Sequence, residues 1–203
     1  MNKVLSKFVV LGLAAALLLT GCMPTAHKVD VLYNPLAVYR GGSGQVTLVA
    51  EAAHQEQQAS NPAIRWVLGQ IKDSDGAVRG DVISDYSPQS VIADAMKREL
   101  SAAGYRVDQT ESRKDGQGRV IVLTAVTVAL NEVVSLAKLE SSCNLVVKVE
   151  LWNNGQVIKR SEYHSKLSDM AIKDRDVLPQ QLFQGALGEI MQQAVPDIIR
   201  QFN

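Results

Sequence analysis

Histidine and cysteine are scarce in this chain, which has three of the first and two of the second among 203 residues. His27, His54 and His164 lie far apart, and none has a second His or Cys at ligand spacing. The HExxH and CxxC patterns that hold zinc are not present, so no metal is expected and no other cofactor is implied. A surplus of one charge is missing as well: 21 Lys and Arg stand against 21 Asp and Glu. That balance offers no basic face to nucleic acid and no electrostatic footprint for an anionic bilayer.

Catalytic signatures are lacking in the same way. No serine sits in a Gly-x-Ser-x-Gly elbow, and Gly41-Gly42-Ser43-Gly44 has neither the following Lys-Ser/Thr of a phosphate loop nor a strand before it. Asp73-Ser74-Asp75-Gly76 has the alternating oxygens of a calcium loop but not its remaining acidic positions, and reads as a solvated turn. The expectation is a protein that is not an enzyme.

Long apolar runs are also absent. The run from Phe8 to Leu19, broken only by Gly12, would make roughly 18 Å of helix against a hydrocarbon core of roughly 30 Å. With Lys3 and Lys7 before it and no acid nearby, it reads as the apolar region of an export signal rather than a permanent span. It ends in Leu19-Thr20-Gly21-Cys22, which resembles the lipobox of bacterial lipoproteins. The resemblance implies cleavage between Gly21 and Cys22 and lipidation of Cys22, whose sulfur and new amino terminus take up acyl chains such as palmitate. Three chains anchor a protein to membrane lipid where one holds only marginally. Met23, where an aspartate in enteric bacteria commonly retains a lipoprotein in the inner membrane, implies the outer membrane, facing the periplasm.

Loss of residues 1–21 would leave 19 basic residues against 21 acidic ones, a net charge of −2. The remaining length suits one domain. With Cys22 acylated, Cys143 is an odd cysteine; a buried small apolar residue is favoured over a reactive or intermolecular thiol. Residues 22–44, with Pro24, Pro35 and four clustered Gly and Ser, read as a lipidated N-terminus and flexible tether, with Val29 to Tyr33 as a possible pinning point. Residues 45–203 read as a periplasmic domain.

Within that domain Gln45–Ala50 and Ile64–Ile71 read as strands, the second followed by an Asp- and Gly-rich loop or small hairpin over 72–86. Ser87 as N-cap, Pro88 as first helical residue and apolar Val91, Ile92, Ala95, Met96 and Leu100 spell an amphipathic helix that Gly104 closes. Tyr105–Val107 is a short strand. Arg119–Val134 is nearly continuously apolar, as in a strand covered on both faces or one in the middle of a sheet. Asn144–Trp152 alternates, Asn153-Asn154-Gly155 turns, and Gln156–His164 returns antiparallel. Val177–Phe202 has apolar residues at helical spacing and a kink expected at Pro196. The order implies an α+β fold, a mixed or mainly antiparallel sheet with two helices packed on one face. Trp66 and Trp152, each in a strand, suit packing better than ligand stacking.

The stretch from Tyr86 through Ser87-Pro88 to Ala103-Gly104-Tyr105, together with the lipobox and the strand order, resembles YajG-type bacterial lipoproteins. The resemblance implies a compartment and a shape more than a reaction. Two functions from different classes remain. One is a non-enzymatic binding or envelope-assembly module that engages an unidentified envelope protein through loops 52–63 and 72–86. The other is an auxiliary lipoprotein subunit of a lipid or solute ABC transport system, holding an apolar ligand between helix and sheet.

Overall fold

The computed structural model describes residues 26–50, 65–114 and 118–203. Gly21, Cys22, His54 and nearly all of the segment between the second and third strands lie outside them. The described elements are β1 (Ala26–Lys28), β2 (Gln45–Ala50), β3 (Trp66–Asp73), β4 (Val78–Ser84), α1 (Pro88–Ala103), β5 (Arg106–Thr110), β6 (Arg119–Val134), β7 (Leu139–Asn153), β8 (Gln156–Ala171), a 3₁₀ turn at Arg175–Val177, and α2 (Leu178–Phe202). This is an α+β protein built on a mixed eight-stranded sheet.

The sheet is organised around β6. Along one edge β6 pairs antiparallel with β7 over its whole length, and β7 pairs antiparallel with β8. Its other edge is shared. The first half of β6 takes β2 in parallel (Thr47 opposite Val120), with β5 outside β2; the last three residues take β3 in parallel (Ile71 opposite Glu132), with β4 and then β1 outside β3. A sixteen-residue strand is long enough to serve two partners in tandem. Its largely β-branched composition suits a strand flanked along both edges.

The strand β3 reaches β6 at Gly69, where an added Cβ would lie 1.8 Å from the Leu130 carbonyl oxygen. Only a residue without a side chain allows that crossing. A bulge in the β3–β4 register falls beside the same residue.

Alternation along β7 separates two faces. Cys143, Leu145, Val147, Val149 and Leu151 are buried, while Glu140, Asn144 and Lys148 face water. The buried face joins one core with Ile92, Met96 and Leu100 of α1 and Phe183, Leu187, Ile190 and Ile198 of α2. The helix α1 contacts β2, β5, β6 and α2, and α2 lies along β7 and β8. Capping of α1 follows its sequence: the Ser90 amide donates to Ser87 Oγ at 3.0 Å, and Gly104 closes the helix at φ +115°. The helix α2 runs on through Pro196 without interruption, because the residues before and after the proline are fixed by burial against the sheet.

Several boundaries differ from the sequence reading. Both β7 and β8 are longer than expected, since Ser141 and Ser165 sit on the buried face where polar residues hid the strand pattern. The strand after Gly104 is Arg106–Thr110, with Tyr105 buried ahead of it. Residues 26–44 do not hang free. Ala26–Lys28 pairs with β4, Val29 and Tyr33 are buried, and the chain then runs along the end of α1, where the Gly42 amide donates to the Ala103 carbonyl at 3.0 Å and Asn203 Nδ2 to the Gly41 carbonyl at 2.8 Å. The physical reason is a set of contacts between residues far apart in the chain, which local composition does not reveal.

Candidate functional site

A groove of about 600 Å³ runs along α1. Its floor is Ser90, Val91 and Asp94; its walls are Asp30–Tyr33 on one side and Asp85 and Tyr86 on the other. Each wall is fixed by the chain around it. The Lys28 ammonium bridges the walls, 2.9 Å from Asp30 Oδ2 and 2.6 Å from Asp85 Oδ2, and these two carboxylates raise its pKa. The Tyr86 amide donates to Ser84 Oγ at 3.1 Å, and Arg98 pairs with Asp94 at 2.7 Å one turn away.

Beneath the first wall lies a buried acid. Glu99 of α1 is 1% exposed and accepts from the Tyr33 hydroxyl at 2.7 Å and from the Leu36 amide through Oε1. Burial, and then the carboxylate beside it, push the Tyr33 phenol well above its ordinary range, so it stays a donor. This contact holds residues 30–36 against α1 and thereby shapes the groove. Leu32 and Tyr86, 69% and 59% exposed, rim it with apolar surface. Asp30, Asp85 and Asp94 against Lys28 and Arg98 give a mouth of mixed charge. Such a mouth suits recognition of a polar-and-apolar surface.

The sequence candidates are scattered rather than brought together. His27 is half-buried and bound to Glu132 and to the Asp176 carbonyl, whereas His164 is exposed on β8 with Glu162 at 3.3 Å. Among the described residues no group of three His, Cys, Asp or Glu could hold a metal ion. Asp73 accepts from the Asp75 and Ala77 amides at 3.0 and 2.9 Å and from Arg79 Nε at 2.7 Å, chiefly through Arg79 its carboxyl is held below the usual range, and the turn between β3 and β4 is thus a self-satisfied hairpin. Cys143 is fully buried and free, and burial pushes its thiol up to about 12. Trp152 lies on the solvent face under the Arg113 guanidinium at 3.7 Å and donates to Glu150 at 3.1 Å, and Trp66 packs at the margin of the core. Gly41 to Gly44 cover the end of α1.

A second polar cluster ties α2 to β8. Asp197 receives Lys159 Nζ at 2.6 Å and the Tyr163 hydroxyl at 2.8 Å. Burial pushes its carboxyl up, but these donors outweigh it and the pKa is lowered.

No protein-family model matches this sequence, and no curated protein does. Among solved structures it is similar to a Xanthomonas campestris protein of family DUF330, at 11% identity over 88% of this chain and 96% of that one with a TM-score of 0.48. It is similar also to a minor lipoprotein of Acinetobacter baumannii, at 10% identity over 78% and 94% with a TM-score of 0.45. A neuraminyllactose-binding hemagglutinin homologue of Helicobacter pylori stands at 13% identity over 86% and 88%, TM-score 0.46.

The groove was not legible in the sequence. The signals that could have found it are Tyr33 and Glu99, an aromatic hydroxyl in a supposed tether and an acid on the apolar stripe of α1. Each is out of place unless the other satisfies it. Of the two loops expected to carry recognition, 52–63 lies outside the described residues; 72–86 contributes Asp85 and Tyr86 to the groove while its hairpin turn lies elsewhere.

Proposed function

We propose that this chain is a bacterial lipoprotein, cut before Cys22, acylated there and held on the outer membrane facing the periplasm, whose α+β domain binds another envelope component without catalysing a reaction. The anchor rests on the short apolar run ending in Leu19-Thr20-Gly21-Cys22 and on the resemblance to YajG-type lipoproteins. The observation that carries the binding role is the groove along α1. Large apolar side chains, Leu32 and Tyr86, stand exposed at its rim, and an exposed aromatic beside a rigid concavity is the usual composition of a protein contact.

A role as auxiliary subunit of a transport system would require a chamber between helix and sheet. Ile92, Met96, Leu100, Leu145, Val147 and Ile190 fill that interval, each fully buried, so the groove and not the core is the surface proposed for a partner.

The experiment is photo-crosslinking in cells from a probe at Tyr86, with membranes fractionated and the Cys22 peptide weighed. The reading expects an acylated Cys22, sedimentation with outer membrane, and one dominant crosslinked protein that is lost when the probe is moved to Lys148 on the open sheet face. A Cys22→Ala chain that fractionates like the wild type would remove the anchor. A Tyr86 probe that crosslinks no more than the Lys148 probe would remove the groove.

A further inference from the structure

The end of the domain nearest Ala26 exposes a cluster of large apolar side chains. In β1 Ala26 lies opposite Asp81 of β4, and Asp81 lies opposite Gln70 of β3. Ile71, the next residue, lies opposite Glu132, two residues before the end of β6. The strand β1 runs parallel to β4, which runs opposite to β3 and β6. The N-terminal end of β1 therefore points toward the turn that joins β6 to β7.

That end carries Leu136, fully exposed at the tip of the turn, with Ile172 69% and Met170 54% exposed beside it and Val177 in the 3₁₀ turn. Arg175 holds them on fixed backbone: its Nη1 and Nη2 donate to the Ser135 and Leu136 carbonyls, each at 3.3 Å, and its Nε to the Ile172 carbonyl at 3.1 Å. His27 Nε2 meets the neighbouring Asp176 carbonyl at 2.9 Å, which ties β1 itself to the cluster. Lys138, Lys173 and Arg175 are balanced by Glu140, Asp174 and Asp176.

We infer that this end is a bilayer-docking surface, with Leu136 and Ile172 seated in the interfacial zone of the membrane that the lipid on Cys22 enters. The inference rests on the anchor proposed above. Its physical basis is reach. Three residues separate Cys22 from Ala26, and an extended chain covers at most about 14 Å in those four steps. An anchor so short brings Ala26 and everything within side-chain distance of it to the headgroups. Because Arg175 already holds the backbone beneath Leu136 and Ile172, insertion costs little further backbone freedom. Balanced local charge fits a zwitterionic surface and makes the contact insensitive to salt. The lipid would orient the domain end-on, and the Lys28–Asp85 bridge and the groove, at the far end of the β1–β4 pair, would face away from the membrane.

The test uses the full-length protein from cell membranes, reconstituted in phosphatidylcholine vesicles, with a polarity-sensitive fluorophore on Leu136→Cys or, at the opposite end of the β7–β8 pair, on Asn154→Cys. Cys143 is buried and does not compete for the label. We expect lipid-borne bromine to quench the label at 136 and aqueous iodide to quench it at least fivefold less than the label at 154, at low and high salt alike. Equal iodide quenching at the two positions overturns the docking surface. Protection at 136 that persists without vesicles and grows with protein concentration also overturns it, in favour of a second copy. The mass of the Cys22 peptide separates the two claims. An acylated chain with 136 open to iodide keeps the anchor and loses the docking; an unacylated chain whose 136 label is quenched from the lipid keeps the docking and loses the anchor; an unacylated chain with 136 open to iodide loses both.

Discussion

His27 Nδ1 faces the Glu132 carboxylate at 3.0 Å from Oε1 and 3.1 Å from Oε2, joining residues 105 positions apart. Glu132 is 2% exposed, so its charge has lost most of its water and the ring of β1 is the partner that replaces it. Hydrogen bonding to Glu132 raises the His27 pKa above 6.5 against the opposing effect of burial.

A group raised on folding stabilises the fold fully below its unfolded pKa and loses that contribution as pH rises through the folded one. The contact between β1 and the 3₁₀ turn should therefore be strongest below pH 6.5 and loosen above the raised value. The ring-proton shifts of His27, followed by NMR, should titrate above 6.5, and Glu132→Gln should return the midpoint to 6.5 or below. An unchanged midpoint in that variant would show that Glu132 is not the cause.

The Tyr33 hydroxyl and Glu99 form the other buried contact that fixes the N-terminal segment. Removing the hydroxyl with Tyr33→Phe leaves a buried carboxylate with fewer donors, at a cost of about 1–3 kcal/mol. Urea midpoints should fall accordingly, and amide exchange should rise first at Leu36, whose amide shares the same carboxylate oxygen.

Two glycines make an internal comparison. Gly69→Ala drives a methyl group into the Leu130 carbonyl and should cost roughly 3 kcal/mol or more, since backbone cannot move aside as a flexible side chain does. Gly76→Ala meets nothing within 4 Å and is strained only by its φ of +83°, which costs roughly 1–2 kcal/mol. Equal losses in thermal unfolding would contradict the β3–β6 crossing described above.

Cys143 should be inert to thiol reagents in the native protein and react only on unfolding, because burial leaves little thiolate below a pKa of about 12. Cys143→Ser puts a hydroxyl among apolar neighbours and should cost about 1–3 kcal/mol. Fast labelling under native conditions would reverse the assignment of this residue to the core.

What the sequence made legible was local. Ser87, Pro88 and Gly104 delimit α1 because caps act within four residues, Asn154-Gly155 locates a turn because its residues at φ +49° and +81° need just those side chains, and alternation in β7 marks its faces. The apolar run of β6 announced a strand flanked on both edges. Nothing in it announced that one edge would be divided between β2 and β3, because partner choice depends on register and crossings such as Gly69. The groove depends on Tyr33 reaching Glu99 across 66 positions, which no window along the chain can contain. Cys22, the residue singled out most firmly in the sequence, lies outside the described residues.

The direction of β1 has a mechanical consequence. A pull on Ala26 along the axis of the strand would load its parallel bonds to β4 together in shear instead of opening them one after another. The His27–Glu132 pair adds a cross-pin at the same point. On the anchor proposed above, a domain held through three strand residues would thus resist being drawn off its own sheet, and its rate of detachment under force, more than its equilibrium stability, would set how long it stays folded under load.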